Sequence, residues 1–100
     1  VSEHADRTGH ELAEALARRE VSAAEVVDSS LARIRAVDDR ISALLIVTAD
    51  LARAQAADVD RRMSTGEDVP PVAGIPLALK DIFCTKGIRT TAGSRILETY

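Results

Sequence analysis

Val72-Ala73-Gly74-Ile75-Pro76-Leu77-Ala78-Leu79-Lys80-Asp81 is the stretch on which the reading of this chain turns. An almost wholly apolar run ends abruptly on two adjacent opposite charges. Pro76 has no backbone N–H to give and belongs at the entrance of a strand, not its middle. The pattern predicts a buried strand over Leu77 to Leu79, apolar on both faces, as in sheets covered by helices. Downstream, Thr85-Lys86-Gly87 predicts a turn and Thr90-Thr91-Ala92-Gly93-Ser94 a loop of small residues. Ser94 is placed to cap a helical turn through Arg95, Ile96 and Leu97.

Upstream the texture is helical. Thr8-Gly9-His10-Glu11 and Ser22-Ala23-Ala24-Glu25 both match the capping box, in which a hydroxyl and a carboxylate satisfy free helix-end amides. Leu12, Ala13 and Leu16 form an apolar stripe after the first box. Val27, Leu31 and Ile34 recur at helical spacing after the second, in a helix expected to end near Asp38-Asp39. The branched run Ala43 to Val47 predicts a short strand. Thr48 is expected to cap a third helix with Ala52, Ala56, Val59 and Met63 on one side, stopping at Gly66. Glu67 to Pro71 is a polar link. The division is therefore a helical segment, 1–70, followed by the start of an α/β core, 71–100.

Charge follows the same division. Residues 1–70 carry nine Arg and fourteen acids, whereas residues 71–100 carry four basic and two acidic residues, including both lysines. The net charge of −3 and pI near 5.3 argue against a primary nucleic-acid or anionic-membrane binder. No apolar run approaches the length that spans a bilayer. The single Cys84 cannot form an internal disulfide, so a soluble, cytoplasmic setting is expected. Seventeen alanines and only two aromatics, Phe83 and Tyr100, leave a modest core. With a buried-type strand and nothing after it to bury it, the expectation is a piece of a larger protein.

Lys80 is the residue of chemical interest. At the end of an apolar strand its ammonium can be partly desolvated, which favours a neutral amine able to act as a base. The plain alternative lays the stem along the strand and lets the charge reach water or pair with Asp81.

Residues 72–100, V-A-G-I-P-L-A-L-K-D followed by T-T-A-G-S, closely resemble the start of the amidase signature family. S-A-A-E-V-V-D-S-S-L-A-R-I-R-A-V-D-D-R-I-S-A-L-L-I-V resembles the N-terminal helices of its branch that serves tRNA-dependent amidotransferases. The likeness covers the chain from about Glu11 but only the first fifth or so of a typical member.

The resemblance implies an α/β fold: N-terminal helices, then the first strand of a helix-covered mixed sheet. It also implies a triad of a lysine, a serine bound through a cis peptide, and a second serine as nucleophile. Lys80 matches that lysine, and Thr90, Thr91 and Gly93 are weaker candidates for lining a substrate pocket. The substrate implied is glutamine or another small amide. The B and C partner subunits would use the ammonia on tRNA, with ATP and magnesium at a partner and no cofactor in this chain.

The sequence departs from the family pattern at the serines. Both belong to a Gly/Ser-rich stretch that these 100 residues lack, and the serines at 2, 22, 29, 30, 42, 64 and 94 are scattered. Ser94 reads as a cap and not as the nucleophile. Cys84 has no histidine in its segment and reads as a small buried filler. His4 and His10 read as solvated side chains, since a metal site needs more ligands. Arg18-Arg19 and Arg61-Arg62 read as solvated helix faces. Two other functions stay open: a free-standing amidase with another amide substrate, and a non-catalytic module that docks through its acidic helices.

Overall fold

The computed structural model describes residues 3–100. A 3-10 turn, Glu3–Asp6, precedes three helices: α1 (Gly9–Ala17), α2 (Ala23–Ile41) and α3 (Ala49–Ser64). A second 3-10 turn, Arg95–Leu97, lies near the end.

Both hydroxyl caps form, while the glutamates accept from the capping hydroxyls and not from the backbone N–H that a full capping box would use. Thr8 Oγ1 accepts from the Glu11 N–H at 3.1 Å, and Ser22 Oγ accepts from the Glu25 N–H at 3.1 Å. The start of α2 has a further anchor, because the Asp60 carboxylate of α3 accepts from Ala23 N at 2.7 Å and Ala24 N at 3.1 Å. A negative charge over free amides at a helix N-terminus also opposes the helix dipole. α3 is thus tied to α2 by polar as well as apolar contact.

The helix ends are equally local in origin. Gly66, at φ +79°, ends α3 with Gly66 N–H donating to Met63 C=O and Glu67 N–H to Arg62 C=O, a Schellman pair. α1 ends on the same hydrogen bonds, Arg19 N–H to Leu16 C=O and Glu20 N–H to Ala15 C=O. There Arg19 holds the left-handed position at φ +57° and its guanidinium donates to Met63 C=O at 2.5 Å. Arg19 therefore joins two helix ends and is more than a solvated side chain. α2 runs past Asp38-Asp39 to Ile41, where Asp38 takes over the cap. Its C=O accepts from Ser42 N and its carboxylate from Ala43 N.

The core sits between the helices. Leu12, Ala15 and Leu16 of α1, Ala23, Val26, Val27 and Leu31 of α2 and Ala56 of α3 are buried, with Val21 between α1 and α2. Ile34, Ala52, Val59 and Met63 pack against them, as the helical spacing predicts. In α1 the second inward alanine is Ala15, whereas Ala13 is only half-buried. The turn at Glu3–Asp6 lies on α2, with His4 N–H donating to Ser29 Oγ at 3.1 Å and Asp6 paired with Arg33 at 2.8 Å. His4 is accordingly tucked in and His10 is solvated, their side chains 18% and 83% exposed.

Three local expectations are corrected. Thr48 does not cap α3 with its side chain; its backbone, at φ −96° and ψ 62°, departs from the extended geometry of a capping residue. Ala43 to Val47 and Leu77 to Leu79 are irregular, and among the described residues there is no strand, only an isolated bridge between Thr85 and Ile88. Leu45 and Leu77 are 69% and 82% exposed. A strand is a property of a pair: without a neighbour to take its N–H and C=O groups, a β-prone run has no ladder to join. The chain is correspondingly long for its size. Its radius of gyration is 14.9 Å, against about 13 Å for a compact domain of this length.

One point fastens the last third to the helices. Gly74 has φ +88°, and a Cβ there would stand 3.1 Å from Leu16 Cδ1, 3.2 Å from Ala23 Cβ and 3.6 Å from Val59 Cγ1. Both the conformation and the space demand glycine, while the adjoining Ile75 packs on the core. Gly74→Ala is expected to cost about 1–3 kcal/mol, read as a lower urea midpoint; an unchanged midpoint would show that this seam carries no stability.

Candidate active site

Lys80 follows the seam by six residues and stands in an open cleft of about 370 Å³. Leu45 and Ile46 from the α2–α3 connection and Leu77, Leu79 and Phe83 from the last third supply apolar walls. The two apolar runs read as strands in the sequence therefore meet across one concave surface. Lys80 itself is exposed in this chain. Thr48, Asp81, Thr85 and Arg89 also line it, so polar groups share this surface with the apolar walls.

The backbone at Lys80 turns at once. Phe83 N–H donates to Lys80 C=O at 3.1 Å. Asp81, weighed in the sequence only as an ion partner for Lys80, is instead turned to the loop after the second turn. Its carboxylate accepts from Thr91 N at 3.0 Å, from the Thr91 hydroxyl, and from Gly93 N at 3.3 Å. Its backbone C=O accepts from Ala92 N at 2.8 Å. The buried Thr90 hydroxyl donates to Phe83 C=O at 3.1 Å. Thr90, Thr91 and Gly93 thus have these polar groups committed to bracing the loop. Asp81 is the residue the sequence reading missed. The signal was an acid nine residues ahead of a T-T-A-G loop, whose backbone amides can converge on a carboxylate.

The Thr91 hydroxyl, followed by the Thr91 amide, holds the Asp81 carboxyl below the usual aspartate range; Gly93 N–H and Arg89 add to this and burial opposes it. A lowered carboxyl value means that this contribution is complete above about pH 4 and is lost as pH falls through the lowered value. Carboxyl NMR is expected to show Asp81 titrating below the ordinary aspartate range; an ordinary midpoint would mean that the three donors do not hold it.

The expected turn at Thr85-Lys86-Gly87 is present, with Ile88 N–H donating to Thr85 C=O and Gly87 at φ +78°. Ser94 caps its 3-10 turn, accepting from Ile96 N at 3.3 Å. Cys84 is exposed, which corrects its reading as a buried filler: the apolar neighbours Ile82 and Phe83 are exposed too, so no core surrounds it. Among the described residues no cluster of three metal-ligating side chains occurs, and no helix is long and apolar enough to cross a membrane.

The family model described as Amidase matches residues 25–100. The chain belongs to the amidase family. This amidase chain is 58% identical over 81 residues to the A subunit of glutamyl-tRNA(Gln) amidotransferase from Synechococcus sp. (strain CC9311), an alignment covering 81% of the chain and 17% of that protein. It is 53% identical over 95 residues to the same-named protein of Geobacter sp. (strain M21), covering 95% and 19%. A solved structure described as a vestigial protein complex revealing the evolutionary origins of an s-triazine catabolic enzyme matches with a TM-score of 0.89 and 40% identity. That match covers 93% of this chain and 20% of the other. The amidase chain therefore spans under a fifth of the length of these curated relatives.

Proposed function

We propose that this chain forms the N-terminal part of an amidase that hydrolyses a carboxamide, with Lys80 as its base. The observation that carries the reading is the placement of Lys80 at an open cleft where two otherwise unpaired segments meet. Residues 1–70 are the helical segment and residues 71–100 open the catalytic core. Ala43 to Val47 and Leu77 to Leu79 become strands of a mixed sheet once further chain pairs with them. The same pairing would cover Leu77 and Leu79 and reduce the water around the amine.

In the proposed reaction, the neutral Lys80 amine draws a proton through a bridging serine, which frees a second serine hydroxyl to attack the amide carbon. The C–N bond breaks as the acyl–oxygen bond forms, and the nitrogen leaves as ammonia with the transferred proton. Water then cleaves the acyl ester and releases the acid. Both serines come from sequence other than these 100 residues, since none of the serines present lies in a Gly/Ser-rich stretch. Residues 1–100 alone are therefore expected to be inactive.

The named relatives favour glutamine as the amide. Ammonia would then pass to a glutamyl or aspartyl tRNA held by the B and C partner subunits, with ATP and magnesium used there, in the cytoplasm. A second reading is a free-standing amidase acting on another small amide; the matched structure, described through an s-triazine catabolic enzyme, supports a substrate other than glutamine but is itself a complex. Assaying the full chain on glutamine and on simple amides, with and without partner subunits, separates the two. Hydrolysis of glutamine that ammonia-accepting partners stimulate supports the first. Turnover of other amides without partners supports the second, and a full chain that binds a partner but cleaves no amide overturns both.

A further inference from the structure

Lys80 and Asp81 are consecutive, yet they point to different tasks. The turn Lys80–Phe83 has little core behind it, because Leu79, Ile82 and Phe83 are all more than half exposed. What restrains it is polar. Asp81 C=O and both carboxylate oxygens grip Thr91, Ala92 and Gly93, and the Thr90 hydroxyl grips Phe83 C=O. The gripped loop is itself conformationally demanding, with Ala92 at φ +50° and Gly93 at φ +72°. A residue bearing a side chain is disfavoured there and needs an anchor to stay.

We propose that Asp81 is a positioning residue for Lys80: by locking residues 91–93 to the turn that begins at Lys80, its carboxylate fixes where the amine is delivered. This inference rests on the amide-hydrolysis reading above. The chemistry requires a carboxylate. Three donors converge on two acceptor oxygens, and an asparagine amide would set an NH2 against at least one of them. Asp81 need not touch substrate, because a small displacement of a base is enough to slow a reaction that depends on its reach.

The test is glutamine hydrolysis by the full chain carrying Asp81→Asn, Thr91→Val or Thr91→Ser, together with amide hydrogen exchange across 80–83 and 91–93. Asp81→Asn and Thr91→Val are expected to lower kcat roughly 10–100-fold while KM stays within about threefold. Thr91→Ser, which keeps the hydroxyl, is expected to retain the parent kcat. Exchange at Phe83, Thr91 and Gly93 is expected to quicken together in the two impaired variants.

An unchanged kcat, a loss confined to KM, or a Thr91→Ser variant as slow as Thr91→Val would overturn the proposal. If the parent chain cleaves no amide, the amidase reading fails and the exchange arm decides the role of Asp81 alone. Joint quickening at 80–83 and 91–93 then sustains the clamp, and exchange that changes only at 91–93 overturns it.

Discussion

Leu16→Ala is expected to remove about 2–5 kcal/mol from the stability of the helical part. Leu16 is 3% exposed and lies where α1 meets the core and the Gly74 turn. Three of the nine buried apolar residues are alanines, so the larger side chains Leu12, Leu16, Val21, Val26, Val27 and Leu31 carry most of the burial. A domain of this size has about 5–15 kcal/mol in all, and the truncation consumes a large share of it. The collapse that softens such a cavity is limited here, because Gly74 has no side chain to fill the space and Ala23 is held by its N–H bond to the Asp60 carboxylate. Loss of helical signal in urea reads the effect. Leu51→Ala, at a site 44% exposed, is the control expected to change little. Equal midpoints for the two variants would mean that the buried cluster does not hold the helices together.

Lys80→Ala is expected to lower amide hydrolysis by the full chain by roughly 10²–10⁴-fold. The range is that of a positioned base, and the loss belongs in kcat because, in the proposed reaction, the amine acts on the proton in flight more than on the bound amide. Lys86→Ala separates base from bulk charge. Lys86 sits in the turn between Thr85 and Ile88, outside the clamp of Asp81, and its removal is expected to leave kcat near the parent value. A similar loss in both variants would indicate that the surface needs positive charge without needing Lys80 in particular.

Much of the helical part was legible because its signals are local. Thr8, Ser22 and Gly66 act within a few residues of their own helix ends, so their roles follow from short stretches of sequence. Arg19 was not legible, since a left-handed C-terminal position is expected of glycine and here an arginine fills it while reaching Met63. Asp60 was not legible either: it caps α2 from 37 residues downstream, and only the packing of α3 on α2 brings it there. The two predicted strands failed for the same reason in reverse. Leu45 and Leu77 have the composition of strands, but their pairing partners are not supplied by the described residues. In the site, the place of Lys80 after an apolar run singles it out in the sequence, and the structure adds its position at the cleft. Asp81 was not legible, because its partners follow a turn whose geometry decides which way the carboxylate faces.

The most direct test of the central claim is mass measurement of the full chain trapped during turnover of an amide or its ester analogue. The parent chain is predicted to accumulate an acyl adduct on a serine, and Lys80→Ala is predicted to show almost none over the same time. Equal adduct in both chains would contradict the assignment of Lys80 as the group that activates the nucleophile.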